Sequence, residues 1–134
     1  MYDSLTVAVI VNVSKRPFFS IEERVDIIKK VTADIPNVKV ECFSGLLADY
    51  VNANRFSVVI RGLRATSDFE NEIQMAQMNA RLYTEGTETV FLMTDPRYSF
   101  ISSSMIKEVA TLGGSVTGLV DEYTESIIKT KIKG

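Results

Sequence analysis

The sequence contains no histidine among its 134 residues and only one cysteine. Without histidine, the chain cannot form a Ser-His-Asp triad, and zinc sites lose one of their commonest ligands. A single thiol, Cys42, excludes an internal disulfide and is typical of a reducing compartment. We therefore expect a cytoplasmic protein in which Cys42 is a buried structural residue.

Long apolar runs are also lacking, since none approaches the ~20 residues of a membrane-spanning helix. The run LTVAVIVNV at 5–13 has no basic segment before it, so it does not resemble a secretory signal. The formal net charge of −2 argues against broad electrostatic attraction to nucleic acid or acidic lipid. We expect neither as a partner, and any bound anion must be held by a local group of cations.

The sequence does contain a regular alternation of β-branched runs with amphipathic segments. Strands are predicted at 5–13, 38–43, 57–60 and 89–93, and helices at 20–35, 46–54, from about 67, at 102–114 and at 121–133. The first helix opens with a capping box, Ser20 with Glu23. The alternation predicts an α/β fold with a parallel sheet and helices on both faces. Chain length and the absence of a linker predict one domain, 1–134.

Cations and hydroxyls follow three of the predicted strands. Lys15 and Arg16 follow the first strand, Arg61 and Arg64 follow the third, and the serine-rich segment 98–108 follows the fourth. Because the carboxyl ends of parallel strands meet at one edge of a sheet, we expect these groups to converge on an anionic ligand. A nucleotide-phosphate site uses this combination of groups and needs no protein nucleophile.

Each of these signals also has a simpler interpretation. The cations after the first strand are typical of a solvated loop, and the two arginines could form salt bridges with Asp68 or Glu70. One serine at a helix start is only an N-cap, whereas three supply additional hydroxyls. Gly62 between the arginines favours close approach of the backbone to a ligand.

The long helix from about residue 67 presents two candidate faces. Its core face is predicted from apolar residues at helical spacing: Phe69, Ile73, Ala76 and Ala80. An adjacent stripe of Glu72, Met75 and Asn79 could border the ligand edge instead.

Four segments of the sequence resemble the phosphopantetheine adenylyltransferases of bacterial coenzyme A biosynthesis. They are IRGLRATSDFENEIQMAQMN, YSFISSSMIKEVA, SKRPFFSIEER and FSGLLADY, and the similarity runs from about Leu5 to the C-terminus. The resemblance implies a Rossmann-like nucleotidyltransferase that transfers the adenylyl group of ATP to 4′-phosphopantetheine. The products would be dephospho-coenzyme A and pyrophosphate, with Mg²⁺ bound together with ATP. It also implies a cytoplasmic homohexamer that can bind coenzyme A.

The resemblance further assigns binding residues for each substrate. Phosphopantetheine would be bound by Lys15, Leu47 and Arg61. ATP would be bound by a strand-end loop, one acidic residue and the serine-rich segment: Gly62, Leu63, Arg64, Glu72, Tyr98, Ser99, Phe100, Ile101, Ser102, Ser103 and Ser104. It implies no metal ligand from the protein.

The family's T-x-G-H motif, whose histidine stabilises the transition state at the α-phosphate, is absent from this chain. Met1 aligns inside the family pattern, just before its second strand. We therefore expect no catalytic residue here, and two interpretations stay open: an adenylyltransferase, or a non-catalytic nucleotide- or coenzyme A-binding module or inactive fragment. The nucleotide sequence upstream of the Met1 codon separates them, because an in-frame T-x-G-H indicates the enzyme and a stop codon the module.

The missing motif generates the first prediction. In the family's strand order, the strand that carries this motif lies between the strands at 5–13 and 57–60. Without it, the sheet should divide into two pairs of strands with a bare apolar edge. Residues 1–134 expressed alone should be poorly soluble or swapped into oligomers, and should release no measurable pyrophosphate from ATP and 4′-phosphopantetheine. The comparison is a version extended upstream through T-x-G-H. Turnover of the short chain within about tenfold of the longer one would contradict the prediction.

Overall fold

A computed structural model describes residues 2–11, 18–64 and 66–133, except for the side chains of 66–68. The strands are β1 Leu5–Val11, β2 Val38–Ser44, β3 Val58–Leu63 and β4 Glu88–Met93. The helices are α1 Ile21–Val31, α2 Leu47–Asn54, α3 Thr66–Leu82, α4 Ser103–Thr111 and α5 Glu122–Lys133. The predicted α/β alternation is confirmed. None of the helices within the described ranges is long and apolar enough to cross a membrane.

The described strands form two separate parallel sheets, β1 with β2 and β3 with β4. The expected division into two pairs is therefore confirmed. The chain also groups into two compact units, one made of residues 1–44 and 101–134 and the other of residues 45–100. The single domain, 1–134, stays a prediction.

In the first unit, β1 and β2 pair from Leu5 opposite Val38 to Val11 opposite Ser44, and α1 packs against both strands. Helices α4 and α5 contact each other and form a cluster around three buried residues: Ile106, Val116 and Ile128. Two polar contacts join α5 to α1. The Tyr123 hydroxyl donates to Asp26 at 2.8 Å, and Lys131 Nζ lies 2.6 Å from Glu23 Oε1.

Two expectations for this sheet were wrong. The first strand was expected to be covered on both faces, but Leu5 and Ile10 are exposed. Cys42 was expected to be buried, yet it is exposed, while its neighbour Phe43 is buried. Successive strand residues point to opposite faces, so the cover that reaches Phe43 does not extend to the thiol.

In the second unit, β3 and β4 pair from Val58 opposite Glu88 to Leu63 opposite Met93. Helix α3 contacts β3, and α2 contacts α3 around buried residues that include Val51. The side-chain amide of Asn52 donates to Leu82 O at 2.9 Å and its carbonyl accepts from the Thr84 N–H at 3.0 Å. This amide therefore fixes α2 to the end of α3.

The predicted core face of α3 was partly wrong. Ile73 and Ala76 are half-buried, but Phe69 and Ala80 are exposed, and Asn79 is buried instead. Each helical residue turns the side chain by about 100°. The buried side of α3 is therefore rotated towards the stripe that contains Glu72.

Helix α1 begins at the predicted capping box. Ser20 Oγ accepts from the Glu23 N–H at 3.1 Å, and Glu23 Oε1 accepts from the Ser20 N–H at 2.8 Å. The helix ends at Val31, one turn before the predicted end at 35, where the Thr32 hydroxyl donates to Ile28 O at 2.7 Å.

We predict that Ser20→Ala lowers the free energy of unfolding by about 1 kcal/mol, because the Glu23 N–H loses its acceptor. Urea unfolding followed by far-ultraviolet circular dichroism measures the change. Ser4→Ala is the control, since Ser4 is exposed and precedes β1. Equal stability of Ser20→Ala and Ser4→Ala would show that the capping box does not stabilise α1.

Candidate functional site

The first cation of the predicted strand–helix junction lies inside β3. The strand was expected to end at 60, but it continues to Leu63, so Arg61 and Gly62 are paired strand residues and only Arg64 follows the strand. Leu63 O also accepts from the Thr94 N–H at 2.9 Å. The carboxyl ends of β3 and β4 therefore lie side by side.

Arg61 makes a two-point ion pair with Glu72 of α3. Its Nε lies 2.9 Å from Glu72 Oε2, and its Nη2 lies 2.8 Å from Glu72 Oε1. The two side chains are 41% and 20% exposed, so the pair is partly shielded from solvent. These hydrogen bonds raise the pKa of Arg61, against a smaller lowering by burial. The salt-bridge interpretation is thus correct for Arg61, and Glu72 is its partner in the described part of the chain.

Tyr83, just beyond α3, lies close enough to Arg61 to interact with it electrostatically, and the sequence analysis missed it. Its hydroxyl oxygen is buried and has no hydrogen-bond partner of good geometry within the described part of the chain. Burial raises the pKa of Tyr83, and the nearby Thr89 and Arg61 offset this only in part. Tyr83 is therefore neutral at pH 7, and the negative partner of Arg61 is Glu72.

The three residues after Arg61 differ in what they offer a ligand. An added Cβ at Gly62 would meet no described atom within 4 Å, so the backbone there faces open space. The side chain of Leu63 is only 4% exposed and belongs to the core, which leaves its backbone for ligand contact. Arg64 is exposed where the strand ends.

Leu47 is the first residue of α2 and is half-buried. Gly45 has a φ of +95°, a left-handed conformation that favours glycine, and it turns the chain into the helix. Leu46 occupies the N-cap position without a side-chain hydrogen bond and is exposed. The start of α2 therefore combines apolar side chains with backbone N–H groups that no side chain caps.

After β4, a tight turn carries the first residues of the serine-rich segment. The Tyr98 N–H donates to Asp95 O at 2.8 Å, and Arg97 Nη2 lies 2.9 Å from Asp95 Oδ2. The Arg97 guanidinium lies 5.4 Å from the centre of the Tyr98 ring. The pairing with Arg97 lowers the pKa of Asp95. Tyr98 and Phe100 are exposed, and Ser99 Oγ donates to Pro96 O at 3.1 Å.

Three consecutive serines open α4 in the first unit, and they have different roles. Ser102 is the N-cap, because its Oγ accepts from the Met105 N–H at 3.1 Å. Within the described ranges, no partner is found for the hydroxyls of Ser103 and Ser104. Ile101 packs against the cluster around Ile106. The cap interpretation is therefore correct for Ser102 alone.

The remaining predicted cations, Lys15 and Arg16, lie outside the described residues, as does the side chain of Ser67 in the first turn of α3. In the described part of the first unit, Lys107 Nζ and Lys131 Nζ lie 5.6 and 5.7 Å from the centre of the Phe18 ring. Among the described residues, no group of three side chains is placed to hold a metal ion.

Comparison with known proteins shows the family of the chain. A family model described as cytidylyltransferase-like matches residues 1–109. The chain is 50% identical over 133 residues to the phosphopantetheine adenylyltransferase of Dictyoglomus turgidum (strain DSM 6724 / Z-1310), which covers 99% of this chain and 82% of that protein. The resemblance inferred from the motifs and the predicted nucleotidyltransferase fold class are confirmed. The chain belongs to the phosphopantetheine adenylyltransferase family of cytidylyltransferase-like nucleotidyltransferases.

Proposed function

We propose that this chain takes part in the transfer of the adenylyl group of ATP to 4′-phosphopantetheine, giving dephospho-coenzyme A and pyrophosphate. The observation that carries the proposal is the 50% identity to a phosphopantetheine adenylyltransferase over 99% of the chain. The segments that carry the motifs include β3 with Arg61 and the start of α4 with its serines. We also propose, on the resemblance alone, a cytoplasmic homohexamer that can bind coenzyme A.

The reaction needs no protein nucleophile. A phosphate oxygen of 4′-phosphopantetheine forms a bond to the α-phosphorus of ATP, the bond from that phosphorus to the bridging oxygen breaks, and pyrophosphate leaves. The protein contributes by positioning the two anions and by neutralising their charge. Lys15, Arg61 and Arg64 would neutralise the phosphates around the reacting oxygen, and the serine-rich segment would hold the β- and γ-phosphates.

The phosphopantetheine side of the proposal is supported by Arg61 and Leu47. Two of the five guanidinium N–H groups of Arg61 are used by Glu72, which leaves three for a phosphate. Leu47 offers an apolar side chain at a helix start where backbone N–H groups have no side-chain cap. A pantetheine arm, which is part apolar and part amide, matches both features.

The ATP side of the proposal is supported by open space and by hydroxyls. Gly62 leaves room for a ligand against the β3 backbone, and Arg64 is exposed beside it. Ser103 and Ser104 offer hydroxyls and N–H groups in the first turn of α4, where the helix dipole favours negative charge. On the resemblance alone, we also propose that Mg²⁺ is bound together with ATP.

One observation favours a second function, a nucleotide- or coenzyme A-binding module without activity: the sequence contains no histidine. Calorimetry with 4′-phosphopantetheine and with ATP and Mg²⁺, followed by a pyrophosphate-release assay, separates the two functions. Protein made with any residues encoded in frame before Met1 should bind both ligands and release pyrophosphate only when both are present. Binding without release would support the module, and binding of neither would overturn both functions.

In protein made with any residues encoded in frame before Met1, we predict that Arg61→Ala weakens 4′-phosphopantetheine binding at least about tenfold and changes ATP binding much less. The reason is that the phosphate of 4′-phosphopantetheine loses a charge-assisted hydrogen-bond donor. Isothermal titration calorimetry gives both dissociation constants. Arg81→Ala is the matched control, since Arg81 is exposed near the end of α3. Equal losses for the two ligands would reject the assignment of Arg61 to phosphopantetheine.

We predict that replacing Ser103 and Ser104 together with alanine raises the KM or the dissociation constant for ATP without lowering the thermal unfolding midpoint. Their hydroxyls have no partner in the described ranges, so the fold does not lose a contact. Ser102→Ala should do the reverse, because it removes the cap of α4 at a cost of about 1 kcal/mol. If the double variant lost stability and kept its ATP affinity, the two serines would be structural.

A further inference from the structure

We propose that Glu72 is a positioning residue that holds the guanidinium of Arg61 so that its remaining N–H groups face the phosphate of 4′-phosphopantetheine. The inference deepens the proposed function and rests on it. It gives Glu72 a role through Arg61, which differs from the direct nucleotide contact that the family resemblance implies. All residues that carry it lie within the unit formed by residues 45–100.

Glu72 and Arg61 meet in a defined geometry. Glu72 binds the side of the guanidinium, since Nε and Nη2 donate to its two oxygens at 2.9 and 2.8 Å. The two N–H groups of Nη1 and the second N–H of Nη2 point away from Glu72, at the end of the planar group. Two of those three are parallel and match two oxygens of a phosphate. Among the described residues, no other hydrogen-bond acceptor is found for Arg61.

Both partners lie on rigid elements of the fold. Arg61 is an interior residue of β3, paired with Phe91 of β4, and Glu72 lies in the second turn of α3, which packs against β3. Neither backbone has to move to form the pair. An unpaired arginine has several rotamers, whereas this one is held by two bonds before a ligand arrives. Such preorganisation reduces the ordering that ligand binding requires.

Glu72 also changes the charge that Arg61 presents to a ligand. The ion pair has no net charge, so Glu72 weakens the long-range attraction of Arg61 for a phosphate. If attraction alone mattered, removal of the carboxylate would strengthen binding. If position matters more, removal would weaken it, because the guanidinium would lose its fixed direction. The two-point geometry favours position over attraction, because two hydrogen bonds hold the guanidinium in one orientation.

The test uses calorimetry to compare the binding of 4′-phosphopantetheine and of ATP with Mg²⁺ to protein made with any residues encoded in frame before Met1. In Glu72→Gln, the amide has one acceptor oxygen, and its NH₂ group opposes the N–H groups of Arg61. We expect about tenfold weaker 4′-phosphopantetheine binding, with ATP binding changed less than about twofold. Glu72→Asp keeps the charge and should recover part of the affinity. Glu70→Gln, an exposed position on the same helix, should change neither ligand.

A double-mutant cycle with Arg61→Ala isolates the route of the effect. If Glu72 acts through Arg61, Glu72→Gln should have no further effect on either ligand in the Arg61→Ala background. Weaker ATP binding in both backgrounds would mean that Glu72 contacts the nucleotide directly, and would overturn the inference. Unchanged or tighter 4′-phosphopantetheine binding by Glu72→Gln would overturn it as well.

A spectroscopic readout distinguishes failure of the inference from failure of the proposed function. The Arg61 Nε–H signal, assigned by its loss in Arg61→Ala, should exchange slowly in the unliganded protein and rapidly in Glu72→Gln. Slow exchange in both proteins would overturn the positioning role even if the enzyme function held. The exchange could instead be slow in the wild-type protein and rapid in Glu72→Gln while the wild-type protein binds no 4′-phosphopantetheine. That result would reject the proposed function, and with it the phosphate as the target of Arg61.

Discussion

The parallel ladder between β3 and β4 is the constraint on which the arginine site depends. It extends β3 through Arg61 and Gly62 to Leu63, and the alternation of strand side chains then assigns each residue a face. Arg61 and Leu63 share one face, where Leu63 is buried and Arg61 reaches Glu72 of α3. Gly62 lies on the other face, where its backbone meets open space. One short strand thus supplies a core anchor, a fixed cation and an open backbone.

The local charge around Arg61 is set by this geometry rather than by the total charge of the chain. The chain carries a formal charge of −2, so it has no broad positive field. Two arginines near the carboxyl ends of β3 and β4 are already paired, Arg61 with Glu72 and Arg97 with Asp95. For these two arginines, the direction of the remaining N–H groups therefore matters more than net charge.

The sequence predicted the elements well because their signals are local. The capping box at Ser20 and the β-branched strands depend on neighbouring residues only. The face of α3 was missed because apolar residues occur on two sides of that helix, and the contact of Glu72 with Arg61 selects one of them. The exposure of Cys42 depends on which face of β2 is covered, which no local pattern specifies. Three consecutive serines are equivalent in sequence, and only the helix geometry identifies Ser102 as the cap.

The strands carry more apolar side chains than the described packing buries. On β3 and β4, Ile60, Val90 and Leu92 share one face and all three are exposed, although helices had been expected on both faces. On β1, Leu5 and Ile10 are exposed in a strand with one described neighbour, β2. Exposed strand faces and edges of this composition favour association with another polypeptide. Their composition is typical of parallel strands that are covered on both faces, and the described packing covers these strands only in part.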